Sequence, residues 1–94
     1  MVSEEWEVVV TERSAEEVQA DLTVAYAATG LRIDELWVGC FALGGNVGRY
    51  EIEAYLAGLM PISAHEHNVV AQVVNERLAE LSSPARAPYR ESEQ

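Results

Sequence analysis

Ser14-Ala15-Glu16-Glu17 and Ser63-Ala64-His65-Glu66 share the signature Ser-x-x-Glu, and reading it decides the fold. In each, the serine hydroxyl can accept from the amide three residues on, while the glutamate reaches back to the serine amide. Together they satisfy free N–H groups in the first turn of a helix. Apolar residues at helical spacing follow both. After Ser14, the positions Val18, Leu22, Ala25 and Tyr26 form one helical face, and Gly30 can end it in the left-handed conformation. After Ser63, the stripe Val70, Val73, Val74, Leu78 and Leu81 predicts a helix to about residue 81.

Two further helices fit between these. Asp34 can cap a segment running from Leu36 to Leu43 that is apolar all round, and Gly44-Gly45 can end it. A buried strand would have the same composition, but it needs a partner strand and the chain offers none; a central helix contacted on several sides is the expectation. Gly39 costs this helix about 1 kcal/mol relative to alanine, tolerable where another helix approaches closely. Asn46 can cap a third helix with the stripe Ile52, Tyr55, Leu56, Leu59 and Met60, which Pro61 would stop.

The predicted fold is therefore all-α: a compact bundle of four main helices in angled packing, with room for a fifth short helix at the N-terminus. Residues 1–82 should form a single helical domain, and 83–94, with two prolines and no apolar period, a flexible C-terminal tail. The expected core comprises Val18, Leu22, Tyr26, Leu36, Trp37, Cys40, Phe41, Ile52, Tyr55, Leu56, Leu59, Val70, Val74 and Leu78. In residues 3–13 the side chains of Trp6, Val9 and Val10 would share a helical face. The alternative there is an extended arm that pairs with a second chain. Left uncovered, these three residues would form an apolar interaction patch and a route to a homodimer.

Composition narrows the function. The chain has 94 residues, of which 49% are hydrophobic, and a formal charge of −10; its six basic residues are all arginine. Nucleic acid and anionic membranes are bound mainly through Lys and Arg, so direct binding to either is disfavoured, while a basic protein partner would be attracted. Cys40 is the only cysteine, which rules out an intrachain disulfide. The N-terminus lacks the pattern of a signal peptide, so the expected compartment is the cytoplasm.

Several motifs suggest chemistry without supporting it. His65 and His67 lie two apart on a helix, about 200° around its axis, so they cannot chelate one ion; an exposed first turn carrying imidazoles is the simpler reading. Cys40 sits among Trp37, Phe41 and Leu43, which predicts a buried, inert thiol. Gly44-Gly45-Asn46-Val47-Gly48 has no lysine to complete a phosphate loop, and two helix ends meeting at a tight turn account for its glycines. The same region could be read as a helix-turn-helix, but Glu51 and Glu53 make its second helix a poor DNA surface. The pairs Glu16/Glu17 and Glu51/Glu53 are expected on solvated helix faces. No catalytic residue, metal site or cofactor is predicted.

Three stretches carry a resemblance: Leu36-Trp37 with Phe41-Ala42-Leu43-Gly44-Gly45-Asn46, then Glu51 to Leu59, then Asn75-Glu76-Arg77-Leu78. Over residues 31–81 the chain resembles a group of small uncharacterised actinobacterial proteins that occur alone or beside sensory and stress-signalling modules. The resemblance implies a regulatory role and supplies no catalytic residue. The leading expectation is a non-enzymatic protein-interaction or regulatory module with an acidic surface. Alternatives are a nucleic-acid mimic that occupies the basic groove of a DNA-binding protein, and an enzyme using His65 and His67.

Overall fold

Glutamates close the first turns of three helices in this chain. In the computed structural model, which describes residues 14–91, the helices are α1 (Ala15–Thr29), α2 (Ile33–Ala42), α3 (Arg49–Leu56) and α4 (Ala64–Glu80), with no strand among the described residues. At α1 the Ser14 hydroxyl accepts from the Glu17 amide at 3.1 Å and Glu17 accepts from the Ser14 amide at 3.2 Å, completing the box. At α2 the Arg32 amide donates to Glu35 at 2.8 Å, and at α3 the Gly48 amide donates to Glu51 at 2.8 Å. These carboxylates replace the caps expected at Asp34 and Asn46.

The second signature is only half used. Ser63 accepts from the Glu66 amide at 3.1 Å. The Glu66 carboxylate instead accepts from the Asn46 amide, 3.3 Å from each oxygen, and so ties the start of α4 to the turn between α2 and α3.

Three helices end in the same way, with paired backbone bonds around one left-handed residue. At α2 it is Gly44 (φ 89°), with the Gly45 amide donating to the Cys40 carbonyl at 2.9 Å. At α3 it is Gly58 (φ 79°), with the Leu59 amide donating to Ala54 at 2.8 Å. At α4 it is Ser82 (φ 58°), with the Ser83 amide donating to Leu78 at 2.9 Å. Only the last of these lacks a glycine, and its side chain makes that conformation costly.

Each of α1 and α2 packs against both α3 and α4, while α1 and α2 do not pack on one another. Leu22, Leu36, Ile52, Val70, Val74 and Leu78 fill the shared interior. Gly39 lets α2 approach α4, because a Cβ there would stand 2.9 Å from Val73 Cγ1. Between α1 and α3, Gln19 and Thr23 both donate to the Leu56 carbonyl, at 3.0 and 2.7 Å, and cap the C-terminal end of α3.

The structure corrects several expectations. Helix α2 is not central: Leu36 and Cys40 are buried, Trp37 is half-buried, and Phe41 is 68% exposed. Gly58 ends α3 before Leu59, which therefore leaves the stripe and is exposed. The buried stripe of α4 includes Ala64, His67 and Ala71, with Leu81 outside it. The chain after α4 is not loose up to residue 91, because it returns along α4 and buries Ala87. The expected fifth helix over residues 3–13, and with it the Trp6, Val9 and Val10 patch, lies outside the described residues.

Candidate functional site

Two surfaces stand out, one built from polar groups and one from apolar groups. The first is a strip of α4 along which residues 85–90 lie. Asn75 reads the backbone of Ala87 on both sides: its Nδ2 donates to the Ala87 carbonyl at 3.0 Å and its Oδ1 accepts from the Ala87 amide at 2.6 Å. Asn68 does the same at Arg90, with its Nδ2 donating to the carbonyl at 2.8 Å and its Oδ1 accepting from the amide at 2.7 Å.

The two spacings match. Asn68 and Asn75 are separated by about 10.5 Å of helix at 1.5 Å per residue. Residues 87 and 90 are separated by about 9–10 Å of extended chain at 3.1–3.3 Å per residue. The tail therefore runs antiparallel to α4, with every third residue in register.

His67 completes the strip. Its ring is fully buried, with Nε2 2.9 Å from the Pro88 carbonyl and Nδ1 2.7 Å from the Tyr55 hydroxyl. A carbonyl can only accept, so Nε2 carries the proton and Nδ1 accepts from Tyr55. Burial lowers the His67 pKa; the bond to Pro88 opposes this, and the positive charge of Arg90 adds to it. Burial likewise pushes the Tyr55 phenol up, and Arg90 offsets part of that rise. Arg90 also donates to the Ile62 carbonyl at 3.0 Å. The Tyr89 hydroxyl accepts from Asn75 at 3.2 Å and donates to Gln72 at 3.2 Å.

The second surface is the outer face of α2. Val38 and Phe41 are 57% and 68% exposed, and the Trp37 and Phe41 rings lie 6.2 Å apart at a 35° tilt. Asp34 lies on the same face, one turn before Trp37 and Val38. It pairs with Arg49, whose guanidinium stands 4.7 Å above the Tyr50 ring.

The residues singled out for chemistry are placed as follows. His65 is exposed and His67 is buried on the opposite side of α4, so the two do not converge. The expectation that both imidazoles occupy an exposed turn fails for His67, which continues the Ala64–Ala71–Val74–Leu78 spacing. Among the described residues, no group of three or more His, Cys, Asp or Glu could hold a metal ion. Cys40 is buried, and its thiol is pushed up to about 12 by desolvation and, secondarily, by the charge of Glu66. Glu16, Glu17, Glu51 and Glu53 are exposed. No helix among the described residues is long and apolar enough to cross a membrane.

Sequence reasoning missed Asn68 and Asn75. Their spacing of seven, facing a Pro-containing tail, was the available signal. No protein-family model, curated protein or solved structure matches the chain.

Proposed function

We propose that this protein is a non-enzymatic interaction module that docks a cationic amphipathic helix on the outer face of α2. One observation carries the reading: Val38 and Phe41 are exposed side by side on an ordered helix, next to a half-buried Trp37. Large exposed apolar patches on small domains commonly mark interaction surfaces, and aromatic side chains are favoured anchors there. The net charge of the chain suggests the class of partner. A formal charge of −10 attracts a cationic helix and speeds its association. The resemblance to proteins found near signalling modules is consistent with a regulatory use of such docking. Nucleic-acid mimicry gains no comparable support, because exposed carboxylates are scattered over all four helices.

The test is isothermal titration of the full chain with a synthetic Leu/Lys amphipathic helix. Phe41→Ser keeps the net charge and removes an exposed ring, so its circular dichroism should match the parent. Its affinity for the peptide should fall at least tenfold, about 1.4 kcal/mol. Equal affinity would show that charge alone attracts the peptide, and the docking face would be abandoned.

A further inference from the structure

We infer that the α4 strip carrying Asn68 and Asn75 is a binding site for an extended peptide, closed in cis by the chain's own tail and able to take the tail of a second copy in exchange. The site shares no residue with the α2 face and goes beyond the function proposed for it.

The recognition is directed mainly at main chain. Two carboxamides each satisfy an amide and a carbonyl of the same residue, at positions 87 and 90. This is the geometry by which an extended segment is held without a neighbouring strand. Side chains then set the class of ligand. Ala87 is 4% exposed, so its place admits only a small residue. Position 88 offers its carbonyl to His67, and a proline there leaves no amide to be satisfied. Position 90 contributes a cation that reaches the Ile62 carbonyl. The ligand is thus small–Pro–aromatic–Arg, as in Ala87-Pro88-Tyr89-Arg90.

The turn that folds this ligand back explains why a second copy is the occupant in trans. The chain leaves α4 through Ser82 at φ 58°, where the other two helix ends of this type use glycine. Strain in a short connection lowers the cost of opening it, and exchange of identical segments preserves every contact of the strip. Opening relieves Ser82, while Asn68, Asn75 and His67 receive the same backbone from the partner.

The full chain tests this through Ser82→Pro, which cannot adopt a positive φ and forbids the return turn. By light scattering after size exclusion, with helicity followed by circular dichroism, the variant should be helical and dimeric. Adding Asn68→Ala and Asn75→Ala to it should return the monomer. A helical Ser82→Pro monomer would overturn the exchange. The second measurement is fluorescence anisotropy of a labelled peptide with the sequence of residues 83–91, titrated with the unmodified chain. Binding should saturate, weakly because the tethered tail competes at high effective concentration, and should weaken at least tenfold in Asn75→Ala. Absence of binding up to millimolar protein would remove the site itself, and this arm decides the matter if Ser82→Pro does not fold.

Discussion

His67 has two ring nitrogens, each with its own partner. Nε2 carries the proton donated to the Pro88 carbonyl, and in the neutral ring Nδ1 accepts from the Tyr55 hydroxyl. A second proton would place a charge in a buried site, and the positive charge of Arg90 adds to its cost. The folded pKa therefore lies below the ordinary value of 6.5. In the unfolded chain His67 takes up a proton as pH falls through that value, while the folded chain resists. This part of the stability is complete above pH 6.5 and is lost progressively as the pH drops toward the folded pKa. The slope can reach about 1.4 kcal/mol per pH unit for one proton. Urea unfolding between pH 7.5 and 5 should show this loss. His67→Gln, less stable at pH 7.5, should show a shallower dependence over the same range; an unchanged slope would assign the effect to other groups.

At the level of elements, the approach of α2 to α4 depends on the absence of one methyl group. Gly39→Ala gains about 1 kcal/mol of helix propensity but drives a Cβ to 2.9 Å from Val73 Cγ1, a β-branched side chain with little freedom to turn away. Overpacking of this kind costs about 1–3 kcal/mol, so a net loss of up to about 2 kcal/mol is expected in thermal or urea unfolding. Combined with Val73→Ala, the substitution should be less harmful than the two separate effects added, since the clash disappears. The same helix shows where the sequence was readable. The glycines at 44 and 45 and the capping serines are local signals, and they place α1, α2 and α4 within a few residues, whereas α3 ends at Leu56 and not at the Met60 that Pro61 implies. Which sides of α2 are covered depends on neighbours distant in sequence. Trp37 does pack against the core, but Phe41 faces outward, because composition records apolarity and not the direction a side chain faces. The docked tail was hidden for a related reason. Asn68 and Asn75 carry no local signal of what they bind, and the prolines at 84 and 88 suggest looseness until a backbone partner is found for each asparagine.

Across the whole molecule, the chain carries sixteen carboxylates against six arginines, and the described core is built from four short helices. The three described ion pairs are all at the surface, and pairs of that kind contribute about 0–1 kcal/mol each. Repulsion within the excess of negative charge works against compactness, and salt screens it over a length of about 10 Å at 0.1 M. The melting temperature should therefore rise between 10 and about 300 mM sodium chloride, measured at pH 7.5; a fall would show that the surface pairs outweigh the excess of negative charge. One buried atom makes the integrity of this assembly directly readable. The lone thiol, at Cys40, is shut inside the bundle and holds its proton tightly. A thiol reagent can reach it only when the helices part, so the pace of its labelling serves as an internal clock for how often the protein opens.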